Sequence, residues 1–91
     1  MGEIKQQVSD ERLCEIAEMF LSGMKVGRIG VKIGVGHVAV TNRLRTIFIK
    51  IAQSEGVKLT QPINLSDIIS VSDVWLYALQ SYKARMRGVA A

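Results

Sequence analysis

The spacing of apolar residues constrains the fold of this chain more than any other feature. Two stretches share one pattern, in which successive apolar residues are four, three and four positions apart. The first stretch consists of Val40, Leu44, Ile47 and Ile51. The second consists of Trp75, Leu79, Tyr82 and Met86. This spacing places each set on one face of an α-helix, and apolar residues between 13 and 24 recur in a similar way. We therefore predict an all-α protein, a small helical bundle.

Capping residues and glycines predict the first helices. Ser9 and Asp10 are good N-caps for a helix over residues 10–22, because their side-chain oxygens can accept bonds from free backbone N–H groups. A shorter helix is predicted over residues 26–33, ended by Gly34. The β-branched residues of this second segment also suit a strand, so propensity alone leaves both possibilities open.

The later part of the chain is predicted to contain a long helix, a connector and a further helical element. The long helix starts at His37 and has about fifteen residues by its periodicity. The final element begins near Ser66 or Ser72 and ends before Gly88. We predict a recognition core, a connector and a C-terminal helical extension, over residues 9–52, 53–65 and 66–88 respectively.

Length and composition limit the possible functions. The chain has 91 residues and a single cysteine, Cys14, which fits one small domain and excludes an internal disulfide or a cysteine-rich zinc site. No apolar run reaches the roughly 18 residues of a membrane span, and the N-terminus lacks the pattern of a signal peptide, so we expect a cytoplasmic protein. His37 is the only histidine. Because no catalytic arrangement is recognisable, we expect a non-enzyme without metal or cofactor.

Charge is distributed unevenly along the chain. The net charge is +4, yet residues 1–24 carry five acidic and two basic side chains, whereas residues 25–50 carry six basic side chains and no acid. The six are Lys25, Arg28, Lys32, Arg43, Arg45 and Lys50. Such a block is the usual electrostatic footprint of a nucleic-acid surface, although the exposed face of an ordinary helix also carries such charges.

The glycine-rich segment GRIGVKIGVG, residues 27–36, admits three interpretations. The stretch 34–39 has the spacing of a dinucleotide-binding loop, but about ten residues before the next candidate strand are too few for a crossover helix. The stretch 27–30 fits the GXXG loop of KH domains, which clamps single-stranded nucleic acid. A helix-turn-helix explains more residues, since Gly34 permits a positive φ in the turn and Gly30 permits close approach of the two helices. We predict the helix-turn-helix and retain KH-like RNA binding as an alternative.

Residues 9–52 resemble a known family of DNA-binding domains. The stretch FLSGMKVGRIGVKIGVGHVAVTNRLRTIFIKI resembles the helix-turn-helix of LuxR-type and response-regulator transcription factors, and more distantly sigma-factor region 4. The family usually has hydroxyl residues where Lys25, Gly36 and Ala39 stand, so the phosphate contacts of those hydroxyls must come from elsewhere or be missing. The resemblance implies that residues 37–50 form a recognition helix in the major groove of double-stranded DNA.

The resemblance also implies roles for individual side chains. Those that would face base edges are His37, Val38, Thr41, Asn42 and Arg45. Arginine can bind guanine, asparagine can pair with adenine, and valine or the threonine methyl can pack on the methyl of thymine. Phosphate contacts, which position the protein without specifying sequence, are expected from Lys25, Arg28, Lys32, Arg43 and Lys50.

The C-terminal helix is the part that a helix-turn-helix does not explain. A small recognition unit gains affinity from a second copy, so we expect a homodimer. The apolar stripe of the C-terminal helix consists of Trp75, Leu79, Tyr82 and Met86. It is either the oligomer surface or part of a core packed against the first and third helices. We expect a transcription regulator of bacterial or phage type, with RNA polymerase or another protein as a further candidate partner. The alternative is a DNA-packaging or assembly adaptor whose C-terminal helix recruits an enzyme.

Overall fold

The part of the chain that the structure describes forms five helices. A computed structural model describes residues 8–59 and 63–88, and these residues contain no β-strand. The helices are α1 (Asp10–Leu21), α2 (Val26–Ile33), α3 (His37–Glu55), α4 (Leu65–Ser70) and α5 (Ser72–Met86). The prediction of an all-α fold is confirmed, and none of these helices is long and apolar enough to cross a membrane.

The first two helices match their predicted positions closely. The Ser9 hydroxyl accepts a hydrogen bond from the backbone N–H of Arg12, at 3.2 Å, and so caps α1 as predicted. The structure confirms α2 over the predicted residues. Its β-branched residues are therefore helical, because the short segment packs its apolar side on α3 and ends at a glycine.

The later elements differ from the prediction in length and number. α3 runs to Glu55, longer than expected, and ends where Gly56 adopts a left-handed φ of 72°. The predicted connector, residues 53–65, therefore begins inside α3, and its residues 60–62 lie outside the described part of the chain. The final element is two helices, α4 and α5, which meet at Val71.

One hydrophobic cluster holds the helices together. α1, α3 and α5 pack on one another, and α2 packs on α3. Phe48 of α3 lies at the centre, with ring centroids 6.1 Å from Phe20 and 5.1 Å from Trp75, in edge-to-face geometry. Such pairs stabilise a core beyond the area that they bury. Residues 66–88 thus share one core with residues 9–52.

The C-terminal stripe belongs to this core. Trp75 and Leu79 are 3% and 0% exposed, and Tyr82 and Met86 are partly buried against the same cluster. The proposed oligomer surface is therefore wrong for Trp75 and Leu79, because this side of α5 packs on α1 and α3 of its own chain. The other alternative from the sequence, core packing, is confirmed for these two residues.

Candidate nucleic-acid interface

A three-residue turn joins α2 to α3. Its first residue, Gly34, has a φ of 82°, a conformation that glycine adopts at little cost. The backbone N–H groups of Gly34 and Val35 both donate to the carbonyl oxygen of Gly30, at 2.8 and 2.9 Å. Two short helices joined by a turn of three or four residues that contains glycine are typical of a helix-turn-helix. The predicted position of Gly34 in the turn is confirmed.

Gly30 packs closely against the turn and against the start of α3. It is buried, and a Cβ on it would lie 3.5 Å from a methyl group of Val40 and closer still to the backbone of the turn. The neighbouring Ile29 and Val40 are both fully buried. The predicted role of Gly30, close approach of the two helices, is confirmed.

The outward side of α3 presents most of the side chains predicted to contact bases. The buried residues of α3 include Val40, Leu44, Ile47, Phe48 and Ile51. On the opposite side, Val38 is 62% exposed, and Asn42 and Arg45 are also exposed. Spacings of four and three residues align these three side chains along one stripe of the helix. His37 is exposed at the helix start.

Thr41 and Thr46 differ in their exposure to solvent. Thr41 is only partly exposed, and its hydroxyl donates to the carbonyl oxygen of His37 at 3.0 Å, beside the buried face of α3. Thr46 is exposed and lies one turn after Asn42, whose carbonyl oxygen accepts its hydroxyl at 3.0 Å. The sequence interpretation missed Thr46, although counting 100° per residue from Val40 and Leu44 would have placed it outward.

The basic side chains predicted to contact phosphate lie mainly around α2. Lys25 precedes this helix, and Arg28 and Lys32 lie on it; all three are exposed, whereas Arg43 on α3 is partly buried. The ion pairs found among the described residues do not include any of these four, nor Arg45. No acidic side chain of the described residues therefore forms an ion pair with these five basic groups.

Lys50 differs from the other candidates because it has a partner within the fold. Its Nζ lies 2.8 Å from Oδ1 of Asp10, and the Tyr82 hydroxyl donates to Oδ2 of the same carboxylate at 3.2 Å. The hydrogen bond from Lys50 is the main reason that the pKa of Asp10 is lowered from its ordinary value. This cluster connects α1, α3 and α5. We therefore remove Lys50 from the set of phosphate contacts.

Some acidic side chains elsewhere in the described residues pair with nearby bases, whereas Glu11, Asp67 and Asp73 do not. The other ion pairs join Arg12 to Glu15 at 3.2 Å, Lys83 to Glu18 at 3.6 Å, and Arg85 to Glu55 at 2.9 Å. Pairs that are at least partly exposed, as these are, add little stability. Their consequence is electrostatic, because they offset charges outside α2, whose Arg28 and Lys32 have no acidic partner among the described residues.

The helix starts at this surface lack side-chain caps. Within residues 8–59 and 63–88, no side chain caps the first backbone N–H groups of α2 or α3, which follow Lys25 and Gly36. These are the positions at which the resembling family usually has hydroxyl residues. The free N–H groups at the start of α3 can therefore bind an anion directly.

The KH-like alternative does not agree with the structure. Residues 27–30 lie inside α2 and have helical backbone, so they form no loop that could clamp a nucleic-acid strand. The strands of a KH domain are also absent from residues 8–59 and 63–88. The GXXG spacing instead reflects an exposed Gly27 and the helix contact of Gly30.

The described residues give little support for a metal site or a reactive cysteine. No group of three His, Cys, Asp or Glu side chains among them is placed to hold a metal ion. Cys14 is buried in the core, and burial raises the pKa of its thiol, which disfavours the reactive thiolate. Comparisons of the chain with protein-family models, curated proteins and solved structures find no match. The exposed side chains of α2 and of the outward side of α3 form what we call the α2–α3 surface. Its interpretation as a nucleic-acid interface therefore depends on its own geometry and charge.

Proposed function

We propose that this protein binds double-stranded DNA with the first half of α3 in the major groove, and that it regulates transcription through sequence-specific binding. The observation that carries the proposal is the outward stripe of α3. Val38, Asn42 and Arg45 are exposed side by side, and their side chains form no hydrogen bond or ion pair with other described residues. Together they offer an apolar contact, an amide and a guanidinium.

The chemistry of this stripe suits the edges of base pairs. The major groove is wide enough for an α-helix, and it displays a different pattern of groups for each base pair. Arg45 can bind O6 and N7 of guanine, Asn42 can bind N6 and N7 of adenine, and Val38 can pack on the methyl group of thymine. Val38 and Arg45 are seven residues apart, which is about 10 Å along a helix. That distance corresponds to about three base pairs of duplex.

The α2 surface supplies the contacts that position the protein. Lys25, Arg28 and Lys32 are exposed on or just before α2, beside the turn that leads into α3. In helix-turn-helix proteins the first helix crosses the phosphate backbone while the second enters the groove. Basic side chains on α2 are therefore where phosphate contacts are expected, and the uncapped start of α3 provides backbone donors for a further phosphate.

The experiment is a titration of purified protein against a fluorescent random-sequence duplex, with a matched single-stranded RNA and single-stranded DNA as competitors. We expect tighter binding to duplex and a log-log salt slope of several units, because each phosphate contact releases about one counterion. Arg28→Glu should weaken binding strongly. Lys58→Glu makes the same charge change at an exposed position after α3, and should have only a small effect. Preference for RNA, or a slope near zero, would refute the proposal.

A further inference from the structure

Exposed apolar side chains concentrate at the junction of α4 and α5. Among the described residues, two of the exposed large hydrophobics, Val31 and Val38, lie on the α2–α3 surface. The other four are Ile69, Val71, Val74 and Tyr77, with exposures of 36%, 48%, 51% and 78%. We call these four residues the outer patch. Apolar side chains gathered in this way commonly mark an interaction site.

Val74 and Tyr77 are the members of the outer patch that lie within α5, whereas Ile69 belongs to α4 and Val71 joins the two helices. Val74 and Tyr77 are three residues apart, so they are neighbours on the helix surface. At 100° per residue, Tyr77 lies opposite Trp75 and Leu79, which are buried in the core. A partner on the outer patch would therefore leave the outward side of α3 accessible.

The same side of α5 changes from large to small side chains along its length. Beyond Tyr77, the residues at spacings of four and three are Ser81 and Ala84, both partly exposed. A protruding aromatic ring and a shallow surface of small residues are complementary in shape. Two copies of α5 in antiparallel orientation would place Tyr77 of each copy over Ser81 and Ala84 of the other.

The charges at the two ends of α5 favour the same orientation. Asp73 lies in the first turn, and Arg87 follows the last residue of the helix; both are exposed. Antiparallel pairing that places Tyr77 opposite Ser81 and Ala84 also brings Asp73 of one copy near Arg87 of the other. Parallel pairing would bring like charges together, which disfavours association.

We propose that the side of α5 that carries Tyr77 binds a second copy of this chain, with the two α5 helices antiparallel about a two-fold axis. Each copy contributes the same surface, so the interface closes as a dimer and does not extend into a ring. Tyr77 is the anchor, since aromatic side chains dominate the energetics of many interfaces. The proposal does not depend on DNA binding.

The first test is sedimentation equilibrium of the protein without DNA, over a wide range of concentrations. We expect the mass of a dimer, and at least a tenfold increase in the dissociation constant for Tyr77→Glu with unchanged helical circular dichroism, because Tyr77 is not part of the core. Val31→Glu makes the same kind of change at an 81% exposed position on α2, and should leave the dimer intact. A monomer at every concentration, a larger oligomer, or a fully dimeric Tyr77→Glu variant would overturn the proposal.

A charge exchange tests the orientation. Asp73→Lys and Arg87→Glu should each weaken the dimer several-fold, and the double variant should recover most of the loss, because the pair between copies is rebuilt with its charges reversed. Far-UV circular dichroism of each variant establishes that α5 is still formed. A double variant at least as weak as the weaker single variant would overturn the antiparallel arrangement.

Discussion

Gly30 and the carbonyl group of Val35 are so close that position 30 has no room for a side chain. A Cβ on Gly30 would stand 2.6 Å from the carbonyl oxygen of Val35. That oxygen belongs to the turn backbone, which is fixed by the left-handed Gly34 and by the hydrogen bonds to the Gly30 carbonyl. Neither group can move without changing the turn, so the placement of α2 against α3 depends on glycine at this position.

We expect Gly30→Ala to lower the free energy of unfolding by about 1–3 kcal/mol, because the added methyl group is forced against backbone. This loss outweighs the gain of about 1 kcal/mol that alanine brings to a helix interior. Gly27→Ala is the matched control. It lies in the same helix with nothing within 4 Å of its Cβ position, so it should stabilise the protein by about 0.5–1 kcal/mol. Urea denaturation measures both, and a stabilising Gly30→Ala would contradict the close approach.

Removing the charge of Asp10 should destabilise the protein only above acidic pH. The pKa of Asp10 is lowered in the fold, chiefly by its hydrogen bond from Lys50. Its contribution is therefore fully present above the unfolded pKa of about 3.9, and is lost as pH falls through the lower folded value. Because Asp10 is 37% exposed, screening by solvent limits the expected loss in Asp10→Asn to about 0.5–1 kcal/mol.

Urea denaturation at pH 7 and at about pH 2 checks this pH dependence. Glu11→Gln is the control, because Glu11 shares the first turn of α1 but takes no part in the ion pairs recorded among the described residues. It should produce a smaller change at pH 7. An Asp10→Asn deficit that persists at the lower pH would show that the ion pair is not its source.

Short-range patterns in the sequence predicted the helices α1 to α3 well. The helical spacing of Val40, Leu44, Ile47 and Ile51 identified the buried side of α3, and all four are fully buried. The bounds of α2 followed from its apolar spacing and Gly34. The same periodicity also places Thr46, and not Thr41, on the outward side of α3. These features are predictable because each depends on residues within a few turns of one another.

Features that depend on packing between distant segments were not predictable. Asp10 and Lys50 are forty positions apart, and only the packing of α1 on α3 brings them together. The stripe on α5 shows that one side of the helix must be covered, but the pattern is the same whether its own chain or a second copy covers it. Val74 and Tyr77 lie off this stripe, and the structure leaves both of them exposed.

Truncation of a side chain should have a large effect on stability on one side of α5 and almost none on the other. Trp75→Ala is expected to lower the free energy of unfolding by about 3–5 kcal/mol, because it leaves a cavity beside Phe48. Tyr77→Ala should change the stability of the monomer by less than about 0.5 kcal/mol, since Tyr77 is 78% exposed. Thermal unfolding at low protein concentration, where association is negligible, gives both values. Equal losses would contradict the assignment of Trp75 to the core and Tyr77 to the outer patch.

Substitutions at Arg28 and Lys50 should distinguish an effect on DNA binding from an effect on the stability of the fold. Arg28→Ala is expected to reduce the salt slope of duplex binding by about 0.9, the contribution of one phosphate contact. Lys50→Ala removes the same charge but also the ion pair with Asp10, so it should leave the slope unchanged and lower the free energy of unfolding. Anisotropy titrations at several salt concentrations, combined with urea denaturation, measure both quantities. A reduced slope for Lys50→Ala would restore it to the phosphate contacts.

Arg45 and Lys32 should differ in what they contribute to binding. Arg45 lies on the outward stripe of α3, where its guanidinium can bind a guanine, so Arg45→Ala should reduce the preference for one base position by about 1–3 kcal/mol. Lys32 lies on α2 and is expected to contact phosphate, which is the same in every sequence, so Lys32→Ala should weaken binding to all duplexes alike. Selection from a random duplex pool, followed by competition among single-base variants of the selected site, distinguishes the two. Uniform losses for both variants would remove Arg45 from base recognition, whereas a position-specific loss for Arg45→Ala alone would identify which base pair this side chain contacts.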